Sequence, residues 1–167
     1  MREFASIPPI LVAVLGNELA GEDAIGPWVG WELARRELPD VETLDAATDP
    51  SRLLQSLRGR RMLVIVDAVA SEGTACGQTI DCAWSEASAA LSRGARLSTH
   101  GLCVADQLRL AAALGDLPPV VWLVGVTAGD FAPGRADAER MRPLARAAAD
   151  RVEQVIATHS GLETTNA

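Results

Sequence analysis

The sequence predicts a single three-layer α/β/α domain, in which a twisted, mostly parallel sheet of about five strands carries helices on both faces. Uninterrupted apolar runs at 10–15, 62–66 and 120–126 are typical of strands buried on both faces of a parallel sheet. Helical periodicity lies between and after them, most clearly over 136–156. Strands and helices alternate without a repeat or an internal linker, which indicates one doubly wound domain spanning 1–167. We expect the folded core to cover 8–157 and 158–167 to form a flexible tail.

The elements can be assigned in chain order from apolar periodicity and from the glycine and proline residues that interrupt it. Strands are predicted at 10–15, 41–44, 62–66 and 120–126, the third of them ending at Asp67, with an edge strand at 77–83. Helices are predicted at 23–38, 51–57, 85–91, from about His100 to Gly115, and at 136–156.

Composition excludes several classes of function. The formal net charge of −7 argues against binding nucleic acid, whose phosphates need a basic surface. All fifteen basic residues are Arg, so neither Schiff-base chemistry nor a P-loop lysine is available. The three cysteines lack CxxC spacing, and no apolar run reaches the ~18 residues of a membrane span. We therefore expect a cytoplasmic protein with reduced thiols and no membrane insertion.

The turn after the first strand is the first place to look for a site, because ligands bind beyond the carboxyl ends of parallel strands. Glycines recur there at intervals of five, and Gly16 and Gly21 match the glycines of a phosphate-binding loop. However, Glu22 and Asp23 stand where such a loop needs Lys and Ser or Thr, and carboxylates would repel a phosphate. Nucleotide binding is therefore disfavoured.

Metal binding fits the residues better. Asp23 follows the first strand, Asp67 ends the third, and His100 begins a helix, so all three are expected near the carboxyl edge of the sheet. Two carboxylates and an imidazole suit a borderline divalent ion such as nickel, zinc or cadmium. Each residue also has a purely structural interpretation: a charge at a helix start, a turn cap and a satisfied histidine. Cys103, three residues after His100, leaves a Cys–His hydrolase as a further alternative.

The same segments resemble the hydrogenase maturation proteases. The segment GNELAGEDAIG is similar to their G-N-x-L-x-x-D-[DE]-x-x-G motif, and VIVDAV is similar to their strand-end D-A motif. STHGL resembles their S-x-H segment at a helix start, and LVGVT resembles their closing strand. The similarity runs from about residue 10 to residue 156, with the motifs in the same order. Two departures are Val14, where the family commonly has glycine, and Ala128, where proline is frequent.

The resemblance implies an endopeptidase that removes a short C-terminal peptide from the precursor of the nickel-iron hydrogenase large subunit after nickel insertion. It places the metal-contacting positions on Asp23, Asp67 and His100, with Asp23 and Asp67 also catalytic, and it gives Gly16, Asn17 and Glu22 a role in shaping the pocket. The implied metal is nickel supplied by the substrate, for which zinc or cadmium can substitute. The implied partner is the large-subunit precursor, and we expect the protease to act as a monomer. A non-catalytic metal-sensing or assembly module with the same ligands stays open as the alternative.

Overall fold

A computed structural model of the chain describes residues 7–46, 51–70, 75–92, 99–129 and 131–159, with the side chains of 51, 90–92 and 99–103 outside the description. Its strands are β1 (Ile10–Val14), β2 (Val41–Asp45), β3 (Met62–Ala70), β4 (Thr79–Ala83) and β5 (Val120–Ala128). Its helices are α1 (Ile25–Ala34), α2 (Ser51–Ser56), α3 (Trp84–Ser92), α4 (Thr99–Leu114) and α5 (Ala138–His159), and a 3₁₀ turn (Gly21–Ala24) precedes α1.

The five strands form one sheet in the order β2-β1-β3-β5-β4, in which only β4 runs antiparallel to its neighbour. Alternate residues of the central strands enter two separate cores. Val12 and Val64 pack on the face covered by α1 and α5, whereas Leu11 and Leu63 pack on the face covered by α2 and α4. The predicted α/β architecture with helices on both faces is therefore confirmed, including β4 as the edge strand.

Several predicted boundaries are wrong. The α-helix after β1 begins at Ile25 rather than Asp23, because Gly21–Ala24 forms a 3₁₀ turn, and it ends at Ala34 rather than Leu38. Strand β3 does not end at Asp67 but continues to Ala70, since β5 also continues and pairs with it up to Ala128. Helix α5 extends to His159, two residues into the predicted tail.

His159 is half-buried, and its ring packs on Trp122 with centroids 4.2 Å apart. Residues 160–167, the rest of that tail, lie outside the described residues. Across the described part of the chain, no helix has both the length and the apolar character needed to cross a bilayer.

Candidate active site

Hydrogen bonds among its own residues stabilise the turn between β1 and the 3₁₀ segment. Asn17 Oδ1 accepts a hydrogen bond from the Leu19 N–H at 2.9 Å, and the Asn17 carbonyl accepts one from the Ala20 N–H at 3.0 Å. The Ala20 carbonyl in turn accepts a bond from the Asp23 N–H at 3.0 Å. This is the local pattern by which an asparagine side chain stabilises a turn. Asn17 therefore helps to fix the backbone conformation of the segment that leads to Asp23.

Two glycines let this turn close on itself. Gly16 has φ +121°, and a Cβ atom on it would overlap the backbone carbonyl of Asp23. A Cβ atom on Gly26 would overlap the carbonyl of Leu15. The end of β1 and the start of α1 therefore touch through bare backbone on both sides of the acidic turn, a contact that any side chain would prevent. This close packing fixes where the Asp23 backbone lies relative to the end of β1.

Asp23 and Asp67 are both buried next to the end of β1. Asp23 is 5% exposed in the 3₁₀ turn, and Asp67 is fully buried in β3. The N–H of Leu15 donates to the carbonyl of Val66 at 2.9 Å, so the end of β1 is bonded to β3 immediately before Asp67. Asp67 Oδ1 accepts a hydrogen bond from the Ala68 N–H at 2.9 Å. By strand alternation, Asp67 belongs to the sheet face of Leu63 and Ile65, which α4 covers.

Glu22 lies next to Asp23 in the chain, but its carboxylate contacts a different part of the molecule. Its Oε2 accepts a hydrogen bond from the Gly129 N–H at 2.7 Å, just beyond β5. Its Oε1 forms an ion pair with the guanidinium of Arg140 on α5. These contacts link the acidic turn to the segment between β5 and α5, and the pocket-shaping role of Glu22 stays a prediction.

A second connection joins the same two segments through the backbone. Ala20 and Gly134 form an isolated parallel bridge. The Gly21 N–H donates to the carbonyl of Gly134 at 3.1 Å, and the Gly134 N–H donates to the carbonyl of Leu19 at 2.8 Å. The rim of the site is therefore built from two loops that are 114 positions apart in sequence and directly bonded to each other.

His100 lies in the first turn of α4, on the helix that covers the sheet face of Asp67. Its side chain is outside the described residues, and so is that of Cys103. Among side chains that are described, no group of three His, Cys, Asp or Glu residues is arranged to hold a metal ion. The three-residue ligand set of Asp23, Asp67 and His100 thus stays a prediction, as does the thiol alternative.

Three residues at this edge were not singled out from the sequence: Gly125, Gly129 and Arg140. Gly125 pairs with Asp67 in the β3–β5 register, so no side chain stands beside Asp67 on the neighbouring strand. A Cβ at Gly125 would come within 2.6 Å of Val69 Cγ2. The glycine in LVGVT could have indicated this close packing. The bonds of Gly129 and Arg140 to Glu22 could not be predicted from the sequence, because these residues are far from Glu22 along the chain.

This geometry places two buried carboxylates at the level where β1 ends, Asp23 in the turn after β1 and Asp67 within the adjacent strand β3. Their oxygens can bind a divalent cation or take a proton from a nucleophilic water, and the same two residues can serve both purposes.

Comparison with known proteins shows what kind of protein carries this site. Residues 29–159 match the family model described as HycI hydrogenase maturation protease, which covers most of the chain. The chain belongs to the hydrogenase maturation protease family. It is therefore an endopeptidase by family, and the matched range includes Asp67 and His100 but starts after Asp23.

Individual hydrogenase maturation proteases agree with this assignment in sequence and in fold. The chain is 35% identical to the hydrogenase 2 maturation protease of Escherichia coli over 126 residues, which cover 74% of this chain and 76% of the relative. It superposes on the E. coli maturating endopeptidase HybD with a TM-score of 0.79, at 31% identity over 91% and 93% of the two chains. For HybD of Thermococcus kodakarensis, a [NiFe] hydrogenase maturation protease, the TM-score is 0.76, at 26% identity over 87% and 97%.

Proposed function

We propose that this protease removes the C-terminal peptide from the large-subunit precursor of a nickel-iron hydrogenase after nickel has been inserted. The family assignment supports the reaction class, and the names of the relatives support the substrate class. The observation that carries the proposal is the pair of buried carboxylates, Asp23 in the turn after β1 and Asp67 on the adjacent strand β3, level with the end of β1. The protease works in the cytoplasm as a monomer.

In this proposal, nickel belongs to the substrate. Asp23, Asp67 and His100 bind the ion that the precursor already holds, so that only metal-loaded precursor is placed correctly. Carboxylate oxygens and an imidazole are suitable ligands for nickel, and zinc or cadmium can replace it in vitro. Recognition through the metal makes processing depend on completed insertion, because metal-free precursor lacks the group that the site binds.

Cleavage requires a water molecule to attack the scissile carbonyl. One of the two carboxylates, Asp23 or Asp67, accepts a proton from this water as its oxygen bonds to the carbonyl carbon. The proton then passes to the leaving nitrogen as the C–N bond breaks, which returns the carboxylate to its starting state. Activation of the same water by the substrate's nickel is the alternative route, and both routes use the same side chains.

The decisive experiment incubates purified protease with nickel-loaded and with metal-free precursor and follows the mass of the precursor. We expect only the nickel-loaded form to be shortened. Equal cleavage of both forms would refute recognition through nickel while leaving the protease activity intact.

Variants then test the residues. We expect Asp23→Asn, Asp67→Asn and His100→Ala each to abolish the shortening. Two matched controls, His159→Ala at the end of α5 and Asp106→Asn on the exposed face of α4, should cleave like the parent protein. Processing retained in all three site variants would place the active site elsewhere. A protein that binds nickel-loaded precursor without shortening it would instead be the non-catalytic assembly module.

A further inference from the structure

Beside the acidic turn lies an exposed surface made of aromatic, aliphatic and arginine side chains. We call it the Trp–Arg surface, and its residues are Leu19, Trp28, Trp31, Arg35, Arg135 and Arg142. Leu19 is 62% exposed, Trp31 is 51% exposed and Trp28 is half-buried, so these side chains form an apolar patch at the surface. The fold does not need Trp31 in its core, because α1 buries its opposite face through Ile25, Val29 and Leu33.

The two indoles form the centre of this surface. Their rings meet edge to face, with centroids 5.2 Å apart and planes at 60°. Trp28 and Trp31 both line each of two adjacent surface hollows. The first hollow, of about 330 Å³, is completed by Leu19, Glu18, Ala136, Ala138 and Arg135. The second, of about 160 Å³, is completed by Arg35, Arg142, Ala145, Arg146 and Glu32.

The arginines of the Trp–Arg surface are not paired with carboxylates of the described residues. Arg35, Arg135 and Arg142 make no ion pair within the described part of the chain, although the net charge is −7 and carboxylates are abundant. Arg36, one residue from Arg35, shows the contrast, since it is paired with Glu32, Asp150 and Glu153. A partner that brings carboxylates to this face would therefore gain ion pairs without breaking existing ones.

The surface is continuous with the candidate active site. Leu19 belongs to the turn that leads to Asp23, and its carbonyl accepts the hydrogen bond from the Gly134 N–H, next to Arg135. A protein segment seated against Leu19 and the two indoles would therefore lie at the rim formed by the two bonded loops.

From these observations we propose that the Trp–Arg surface docks an acidic segment of the protein substrate, which inserts an apolar side chain against Trp28 and Trp31 while its carboxylates pair with the arginines. The segment is distinct from the peptide that is cleaved. Tryptophan and arginine are the residues that most often dominate binding energy at interfaces, which suits a docking role. This inference rests on the proposed function, because it takes the precursor as the partner.

The test measures kcat and KM for nickel-loaded precursor with Trp31→Ala and with the double variant Arg35→Glu/Arg142→Glu. Because docking is separate from the chemical step, we expect KM to rise by about tenfold or more while kcat changes little. The effect of the double variant should shrink when salt is raised from about 0.05 M to about 0.5 M, since exposed charges are screened.

Matched controls separate docking from general surface effects. Leu114→Ala removes an exposed apolar side chain at the end of α4, and Arg52→Glu reverses an exposed arginine on α2. Both should keep the parental KM, and thermal unfolding should show that all variants are folded.

Each outcome is decisive. A parent protein that leaves the precursor uncut contradicts the proposed function. Efficient cutting by the parent, with the Trp–Arg variants matching the controls, contradicts the docking surface alone. Dissociation of a dimer of the protease by Trp31→Ala would also overturn the proposal, because the surface would then bind a second copy of the chain.

Discussion

The two edges of the sheet both bury charge, but they do so in opposite ways. At the amino edge, the side chain of Arg60 is only 4% exposed, and each nitrogen of its guanidinium donates a hydrogen bond. Its Nε donates to the Ser56 carbonyl at 3.0 Å, its Nη1 to the Pro8 carbonyl at 2.5 Å, and its Nη2 to the Glu42 carboxylate at 2.5 Å. This cation joins the chain before β1, the end of α2 and strand β2.

At the carboxyl edge, Glu22, Asp23 and Asp67 are all buried, and all three are acidic. Glu22 is bound to Gly129 and Arg140, and the proposed function assigns metal binding and proton transfer to Asp23 and Asp67. The difference teaches how to separate structural from functional buried charge. Substitution of a structural charge should lower the free energy of unfolding, whereas substitution of a functional one should lower the rate of precursor cleavage.

The largest effect is expected from Asp67→Asn. Loss of the carboxylate should reduce precursor cleavage by about a thousandfold or more, because both metal binding and proton transfer are assigned to it. The variant should still fold, since the amide oxygen can accept the Ala68 N–H as the carboxylate does. Cleavage assays and urea unfolding check the two parts. A large loss of stability would place Asp67 in the same structural class as Arg60.

The converse effect is expected from Arg60→Met. Removing the guanidinium leaves the Pro8 and Ser56 carbonyls without their donor, so the free energy of unfolding should fall by about 3 kcal/mol. The kcat of the folded variant should be unchanged. Arg58→Met, at a side chain that is 85% exposed, is the control and should change stability by less than about 0.5 kcal/mol. Urea unfolding compares the pair, and an equal effect in both variants would remove the special status of Arg60.

An intermediate effect is expected from Glu22→Gln. The amide oxygen can still accept the Gly129 N–H, but the ion pair to the half-exposed Arg140 is lost. We expect kcat to fall by about tenfold, because the Asp23 turn is less firmly held, and Glu139→Gln on α5 to have no effect. Single-turnover cleavage of nickel-loaded precursor measures this. Inactivation as complete as that of Asp67→Asn would make Glu22 a ligand or catalytic group itself.

The smallest effect is a difference in alkylation rate between Cys82 and Cys76. It is measured in a Cys103→Ser variant, which removes the third thiol and should keep protease activity. Burial, with the charges of Glu86 and Asp81, raises the pKa of the Cys82 thiol. Because a raised pKa leaves less thiolate at any pH below it, Cys82 should alkylate more slowly than the exposed Cys76. Peptide mass mapping after timed iodoacetamide treatment measures both. Faster labelling of Cys82 would contradict this, and loss of activity in the Cys103→Ser variant would favour the thiol mechanism.

Much of the fold could be predicted because buried parallel strands leave unbroken apolar runs, as at β1 and β5. The end of β3 could not, because Asp67 interrupts the apolar run while the strand continues through pairing with β5. The 3₁₀ turn was missed for a related reason: the close approach of Gly16 to Asp23 is a tertiary contact. Asp23 and Asp67 could be picked out because each stands beside a recognisable strand. The contacts of Glu22 could not, because Gly129 and Arg140 are remote in sequence.

The mutual contact of Gly16 and Gly26 with the opposing backbone has a consequence for inheritance. Neither glycine offers a reactive atom. We nevertheless expect no substitution of either to be tolerated, since every other residue adds a Cβ where a carbonyl already lies. In a saturation library selected for precursor processing, we expect these two codons to be as intolerant as those of the acids. The limits of permitted variation would then trace the shape of the turn as well as its chemistry.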